Sequence, residues 1–184
     1  MVFKMLDKDL RFLGKNTIKL GPDIYLYKNF YHDLEAFEFK LNSIEEDMWN
    51  THGNYSENDH KETFWDNKLS PDFVNKDFHD TIINFVSPRY WILSHGNFLR
   101  LKSGEKIYDQ EHTIPKEFKY ILGFYAGDFT GGEINFIDFG ITYKPEKNDL
   151  IIFKPTNFKV GEVTSGIRYS YLDYIIEHPG YILV

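Results

Sequence analysis

Histidine, aspartate and glutamate are the side chains of this sequence best able to bind a metal ion or move a proton, because the chain contains no cysteine. A ready-made metal pair places two ligands two residues apart on a strand or four apart on a helix. No two of the seven histidines have either spacing; they are His32, His52, His60, His79, His95, His112 and His178. The sequence therefore contains no ready-made pair of histidine ligands.

Local clusters of acidic residues offer few alternatives. His52, Asp59 and His60 lie in one polar stretch and could form a divalent-cation site, although a solvated loop is the simpler interpretation. The run EED at residues 45–47 ends a predicted helix and is expected to be solvated. We assign it no chemical role.

Composition and charge limit the possible partners. The chain has 184 residues, 18% of them aromatic, which suits one domain over residues 1–184 around one core. Its formal net charge of −7 argues against a nucleic-acid partner. No signal-peptide pattern or membrane-spanning apolar run is present, which predicts no membrane partner and an intracellular soluble location, in a host cytoplasm or a virion. The few alanines and many Lys, Asn, Ile and Phe residues suit the AT-rich genome of a bacteriophage.

The first half of the sequence predicts two helices behind a short strand. Residues 24–27 alternate with period two, and Leu34, Phe37, Leu41 and Ile44 follow at helical spacings. Residues 45–69 are polar and lack a sustained period, which indicates a loop or lid. A second helix is expected to start at Ser70-Pro71, to present the apolar stripe Phe73, Val74, Phe78, Ile82 and Phe85, and to end at Ser87-Pro88.

From residue 90 the pattern changes to short β-rich runs, which is typical of an antiparallel barrel or sandwich. We predict strands near 90–94, 98–102, 106–113, 118–125, 133–137, 141–143, 149–153, 159–163 and 167–176. Residues 128–132, with adjacent glycines, are expected to form a hairpin connection. Asp138 and Asp149 lie near predicted strand ends and are expected to form turns rather than to act as acids or bases.

Three segments of this β-rich half resemble the 2-oxoglutarate/iron(II) oxygenases of the prolyl 4-hydroxylase type. They are GDFTGGEINF at 127–136, PEKNDLIIF at 145–153, in which Asn148 stands where glycine is common, and VTSGIRY at 163–169. The resemblance covers roughly residues 20–177. It implies an α+β, mainly β fold: a double-stranded β-helix, or jelly-roll (cupin-like) barrel, with strands over 90–177, N-terminal helices packed on one face and the active site in its mouth.

The resemblance also implies where iron ligands should lie. Such enzymes hold iron with two histidines and one carboxylate. The first pair, about six residues after Gly104, falls on Gln110 and His112. The third ligand, five residues before Val163, falls on Phe158, whose side chain cannot bind iron. The triad is therefore degenerate unless Asp109 or Glu111 moves into place.

Arg168 occupies the position where the family pairs a basic residue with the distal carboxylate of 2-oxoglutarate. A guanidinium suits this role because it offers two parallel donors to a carboxylate. The alternative is that Arg168 forms an internal structural pair with an aspartate or glutamate.

Two functions follow as expectations. The first is a non-catalytic structural or binding component without cofactors, with protein partners in an assembly, such as the virion proteins of a phage particle. The second is an active prolyl-hydroxylase-like oxygenase that uses Fe(II) and 2-oxoglutarate with rearranged ligands such as His112 and Asp109 or Glu111.

Overall fold

The computed structural model describes residues 17–51, 62–65, 76–86, 90–92, 97–106 and 118–177. Within these ranges the helices are α1 (Leu34–Asn42) and α2 (Lys76–Val86). The strands are β1 (Ile18–Gly21), β2 (Ile24–Tyr27), β3 (Asn50–Thr51), β4 (Glu62–Trp65), β5 (Tyr90–Ile92), β6 (Asn97–Lys102), β7 (Phe118–Ala126), β8 (Phe129–Gly131), β9 (Ile134–Phe136), β10 (Ile141–Tyr143), β11 (Leu150–Phe153), β12 (Phe158–Val160) and β13 (Val163–Glu177). Neither described helix is long and apolar enough to cross a lipid bilayer.

Antiparallel strands form two sheets that enclose a barrel. The larger sheet has the order β1-β2-β11-β7-β13-β6-β4-β3, and β5 and β8 also pair with β13. The smaller sheet has the order β10-β9-β12. Side chains of both sheets meet in one buried cluster, hereafter the barrel interior, which includes Ile121, Tyr125, Ile151, Ile134, Phe136 and Val160. This architecture confirms the predicted β-rich barrel.

Strand β7 is buried on both faces, which explains its almost continuous apolar sequence. Tyr125 faces the barrel interior, whereas Phe124 faces a second cluster between the larger sheet and the two helices. Phe37 of α1 and Phe78 of α2 meet in that second cluster, with ring centroids 4.5 Å apart. The helices therefore cover the outer face of the larger sheet, as the resemblance implied.

Most predicted elements in the described part of the chain are confirmed. β2 and α1 lie where the period-two and helical patterns placed them, and the strands after residue 118 match to within a few residues. α2 ends at Val86, directly before the Ser87-Pro88 stop signal. Its predicted start at Ser70-Pro71 lies outside the described residues, and so does the predicted strand at 106–113 from residue 107 onward.

The prediction of a loop or lid over residues 45–69 is wrong at several described positions. Residues Glu46–Met48 form a short 3-10 helix, and β3 pairs with β4, which in turn pairs with β6. One of the two partners of β4 is β6, a strand far along the chain, so no local pattern reveals that pairing. Residues 52–61 and 66–69 lie outside the described part of the chain.

Residues 128–132 have the backbone that their glycines predict but do not form the predicted hairpin. Gly131 and Gly132 have φ angles of 81° and 68°, a region that favours glycine. Phe129–Gly131 nevertheless forms β8, which pairs with the start of β13. The flanking strands β7 and β9 lie in different sheets, so this segment passes from one sheet to the other.

Asn148 has a backbone conformation that explains why glycine would suit its position. Its φ angle is 66°, in the left-handed region that glycine and asparagine tolerate best. Asn148 N–H donates to Tyr125 O while Tyr125 N–H donates to Asp149 O, the pattern of a G1 bulge. The side chain of Asn148 also bonds both backbone groups of Tyr31. The bulge thereby fixes the start of β11 against β7.

A carboxylate ties the 3-10 helix at Glu46–Met48 to β6. Both oxygens of Glu46 accept hydrogen bonds from Arg100 at 2.9 Å, and Lys102 Nζ lies 2.7 Å from Glu46 Oε1. The guanidinium of Arg100 also lies over the ring of Trp49, 4.5 Å from its centroid. Hydrogen bonds from Lys102 and Arg100 lower the pKa of Glu46 to about 2. The acidic run at 45–47, expected to be solvated, thus contains one exposed but paired carboxylate.

Replacing Glu46 by glutamine should weaken the pH dependence of stability. Because the pKa of Glu46 is lowered on folding, its carboxylate stabilises the fold above the ordinary pKa of 4.5, and this contribution is lost as the pH falls toward 2. The Tm of the wild type should therefore fall more steeply over this window than the Tm of Glu46→Gln. Glu45→Gln, at an exposed neighbouring position, is the control. Equal slopes for wild type and Glu46→Gln would contradict the ion pair.

Candidate functional site

Arg168 lies on β13 with its side chain directed toward the barrel interior. Its neighbours Ile167 and Tyr169 pack on the opposite face, against the helix-covered cluster, as expected for alternating residues of a strand. Arg168 is only 2% exposed. A charged side chain so deeply buried requires polar or aromatic groups around it.

The guanidinium of Arg168 is held by a carbonyl and an aromatic ring. Nη1 donates a hydrogen bond of 2.7 Å to the backbone oxygen of Gly132. The guanidinium carbon lies 5.5 Å from the centroid of the Tyr125 ring. Burial lowers the pKa of Arg168, but an arginine remains protonated in proteins. The positive charge therefore stays in the barrel.

No carboxylate of the described residues lies within ion-pairing distance of Arg168. Glu133 acts on the guanidinium only through a longer-range electrostatic attraction. Nε of Arg168 is buried and has no hydrogen-bond partner in this part of the chain. The internal Asp or Glu partner that the sequence left open is thus not found among these residues.

The Gly131-Gly132 pair explains how a carbonyl can approach the buried charge. A Cβ atom at Gly132 would lie 2.6 Å from Arg168 Nη1, closer than real contacts allow. Glycine at this position therefore serves two needs, a φ angle of 68° and close approach to the guanidinium. The sequence pattern alone predicts only a turn at these glycines.

Ser170 is a site residue that the sequence analysis did not identify. It is 4% exposed, and its Oγ has no hydrogen-bond partner among the described residues. It lies two residues after Arg168 on β13, so both side chains face the same side. The sequence does show a serine two residues after Arg168 on a predicted strand, and this spacing could have identified it.

Asp149 forms the predicted turn but is also a buried charge of the barrel. Its backbone N–H donates to Glu146 O, and its Oδ2 accepts from Glu146 N–H at 3.0 Å. The same Oδ2 accepts from Tyr143 Oη at 2.6 Å and from Lys28 Nζ at 2.9 Å. Asp149 is 0% exposed, and its Oδ1 has no partner within the described ranges. Asp149 Oδ2 therefore accepts several hydrogen bonds, whereas Asp149 Oδ1 accepts none from the described residues.

Two tyrosines lie between the buried positive and negative charges. Tyr125 and Tyr143 have ring centroids 6.4 Å apart. Burial raises the pKa of Tyr125 to about 12 and raises the pKa of Tyr143 as well. Both hydroxyls therefore stay protonated at neutral pH. We call Arg168, Ser170, Tyr125, Tyr143 and Asp149 the buried polar cluster.

Asp138 has only the turn role that its position predicts. Its carboxylate accepts hydrogen bonds from the side chain of Thr156 and from the backbone and side chain of Asn157. These bonds lower its pKa. Asp138 therefore ties the chain between β11 and β12 to the smaller sheet.

Phe158, at the third ligand position, lies on β12 of the smaller sheet. It pairs in register with Phe136, and its ring packs 5.3 Å from the ring of Phe153. It is half-buried against the barrel interior, the same side as Val160. A packed hydrocarbon ring, which has no atom able to bind iron, thus occupies the position that the resemblance assigns to the third ligand.

The other predicted metal ligands cannot be placed. Gln110 and His112 lie outside the described residues, as do Asp109 and Glu111. His52, Asp59 and His60 also lie outside them. In the part of the chain that is described, no group of three His, Cys, Asp or Glu side chains could hold a metal ion.

Comparison with solved structures identifies the fold. A viral collagen prolyl hydroxylase from Paramecium bursaria Chlorella virus-1, in its 2-oxoglutarate complex, is 20% identical over 84% of this chain and 96% of its own, with a TM-score of 0.59. A 2OG-Fe(II) oxygenase-family oxidoreductase from Burkholderia pseudomallei is 12% identical, over 85% and 86%, with a TM-score of 0.62.

A third structure, a prolyl hydroxylase from Trichoplax adhaerens in complex with a hypoxia-inducible-factor peptide fragment, is 13% identical over 84% of both chains, with a TM-score of 0.65. No protein-family model and no curated protein sequence matches the chain. The protein therefore has the double-stranded β-helix fold of 2-oxoglutarate/iron(II) oxygenases, of the prolyl-hydroxylase type.

Substitution of Gly132 by alanine should test the contact with Arg168. The control is Gly140→Ala, because Gly140 also has a positive φ angle, of 61°, but nothing within 4 Å of an added Cβ. Gly140→Ala should cost about 1 kcal/mol for the left-handed backbone. Gly132→Ala should cost about 2–3 kcal/mol, since it also displaces a hydrogen-bonded, buried guanidinium. Urea unfolding measures both values, and equal losses would contradict the contact.

Proposed function

We propose that this protein uses an oxygenase-type barrel for binding rather than for catalysis. It has lost the iron site and retained an anion-binding arm. The observation that carries the proposal is Phe158, a packed aromatic residue at the third ligand position. A histidine at position 158 could bind a metal ion only if its ring gave up part of the contact that Phe158 makes with Phe153.

The loss of iron affinity is expected to be large. The resemblance places Gln110 and His112 at the other two ligand positions, so one side chain able to bind iron remains, a histidine where the family uses the carboxylate. Loss of a supporting interaction around a metal typically costs about 10–100-fold in affinity, and loss of direct ligands costs more. The chain would then bind Fe(II) too weakly to assemble the reactive centre.

The anion-binding arm consists of Arg168 and Ser170. Both face the barrel interior, and each has one buried polar atom without a partner among the described residues. Keeping a guanidinium in this place without an internal carboxylate costs stability. Because this burial reduces stability, we infer that Arg168 binds a carboxylate-containing molecule. The resemblance to the oxygenases implies the same role for its position.

As a binding component, the protein would work within a protein assembly such as a phage particle. Apolar side chains at the surface are available for such contacts, including Phe39 on α1 and Ile137 and Phe139 beside the smaller sheet. Co-purification of a stoichiometric protein partner from the native source would support this part of the proposal. A protein that stays monomeric and turns over 2-oxoglutarate would contradict it.

An active oxygenase is the second candidate, and the retained Arg168 and Ser170 favour it. It would require His112 with Asp109 or Glu111 to bind Fe(II) in place of the usual triad, and would hydroxylate a prolyl or similar side chain. Because Phe158 has no coordinating atom, it would also require a further ligand. The buried polar cluster would hold the carboxylate of 2-oxoglutarate in this case.

Anaerobic titration with Fe(II) and 2-oxoglutarate distinguishes the two candidates. The wild type should give no visible charge-transfer band, because the chelate needs an assembled iron site. The triple variant Gln110→His, His112→Asp, Phe158→His should gain the band if the barrel geometry is intact. Phe158→Leu serves as a stability control, since it removes the ring without adding a ligand. A saturable band in the wild type that His112→Ala abolishes would overturn the proposal.

A further inference from the structure

The outer face of α1 presents an aromatic side chain to solvent. Phe39 is 75% exposed, more than any other large apolar side chain in the described part of the chain. It lies one turn after Glu35 and one turn before Asn42, and these three exposed side chains form a stripe on the side of α1 away from buried Phe37. A single exposed apolar side chain is common at protein surfaces, so the charges around Phe39 decide whether it belongs to a contact.

Carboxylates without ion pairs flank Phe39 in the sequence. Asp33 is the N-cap residue of α1, Glu35 lies in its first turn and Glu45 follows its end, and all three are exposed. None of them forms an ion pair with a described residue, in contrast to Glu38, which pairs with Lys147. An aromatic ring among uncompensated carboxylates suits a partner that is both apolar and basic.

The sequence itself contains a segment with this chemistry. Residues 1–16, MVFKMLDKDLRFLGKN, precede β1 and lie outside the described residues. They carry four basic and two acidic side chains, a formal charge of +2, whereas residues 17–184 carry −9. Alternate side chains of an extended chain share one side. In this segment one such set contains only apolar and basic residues, namely Val2, Lys4, Leu6, Lys8, Leu10 and Phe12.

The point where this segment joins the fold lies within reach of α1. The segment leads into β1, which is three strand positions from β7 in the larger sheet, about 14 Å at the usual strand spacing. Phe37 of α1 packs on Phe124 of β7, with ring centroids 5.6 Å apart. Sixteen residues extend up to about 50 Å. The segment is therefore long enough to pass around the sheet edge and cover α1.

Other pairings are less favourable because of their charges. Ile137 and Phe139, the other exposed apolar pair, lie beside the smaller sheet, where exposed Lys159 alternates with inward-facing residues of β12. The carboxylate between them, Asp138, already accepts three hydrogen bonds. The α1 helix of a second copy would bring carboxylates against carboxylates, which repel each other. The basic segment therefore suits α1 best.

We propose that residues 1–16 pack on the outer face of α1 of the same chain, with apolar side chains over Phe39 and lysines beside its flanking carboxylates. This inference is independent of the proposed function, because it involves no residue of the barrel interior. Phe39 then belongs to an intramolecular contact, and Ile137 and Phe139 remain as the exposed apolar pair open to a partner.

Thermal unfolding of Phe39→Gln tests the apolar part of the contact. Glutamine forms helix at least as readily as phenylalanine, so the Tm should stay unchanged or rise if solvent alone covers position 39. Docking predicts instead that the Tm falls by a few degrees, because the burial of a ring is lost. The fall should be smaller in the background Lys4→Glu with Lys8→Glu, because those changes disrupt the same contact. An unchanged Tm, or equal falls in both backgrounds, would overturn the proposal.

A distance measurement tests the position of the segment directly. The chain has no cysteine, so Asp9→Cys with Ser43→Cys allows two spin labels to be attached at known places in the full-length protein. Docking predicts one narrow distribution of distances between the labels. A broad distribution would overturn the proposal. A narrow distribution that disappears on dilution with unlabelled protein would come from a second copy, and would overturn the assignment to the same chain.

Charge reversal in the labelled protein tests the electrostatic part. Lys4→Glu with Lys8→Glu should broaden the distance distribution, because carboxylates would then face carboxylates. Adding Glu35→Lys and Glu45→Lys should restore the narrow distribution by reversing the pairs. Glu162→Lys, at an exposed position between β12 and β13, is the control and should leave the distribution of the otherwise unchanged protein as it was. Failure of the reciprocal reversal to restore the distribution would overturn the pairing with α1.

Discussion

The buried charge of Arg168 is the constraint on which the arrangement of the barrel depends. An arginine cannot lose its proton to relieve burial, so the surrounding chain must supply oxygen atoms and aromatic faces. Gly132 supplies a carbonyl at a distance that a side chain at its own Cα would forbid. Tyr125 supplies an aromatic face, and Glu133 supplies a longer-range negative charge. The turn between the sheets and the bulge at Asn148 place these groups.

The proposed anion-binding arm and the position that the resemblance assigns to the third ligand lie on different sheets. Arg168 and Ser170 belong to the larger sheet, whereas Phe158 belongs to the smaller one. Under the proposed function, a phenylalanine at position 158 can therefore fill the interior with hydrocarbon while Arg168 and Ser170 stay in place. Phe158 with Phe136 and Phe153 gives the smaller sheet an aromatic contact that a solvated metal ligand would not provide. A phenylalanine at this position is therefore compatible with a stable fold.

The sequence predicts the barrel well where patterns are local. The period-two runs and the helical stripe of α1 correspond to observed elements, and Gly131 and Gly132 have the positive φ angles that adjacent glycines predict. Predictions are less successful where partners come from distant segments. The pairing of β4 with β6, the strand β8 within an expected turn, and the burial of Asp149 depend on neighbours that sequence spacing does not reveal. Ser170 was missed because a serine in an apolar strand is also compatible with a purely structural role.

The most direct test of the loss of iron binding is the anomalous scattering of iron in a crystal of the wild-type protein, grown and soaked anaerobically with Fe(II) and 2-oxoglutarate. The proposed loss predicts no iron peak beside Phe158, with the aromatic contact to Phe153 intact. An iron peak in the barrel mouth, coordinated by His112 and a carboxylate of this chain, would contradict it and establish a rebuilt metal centre.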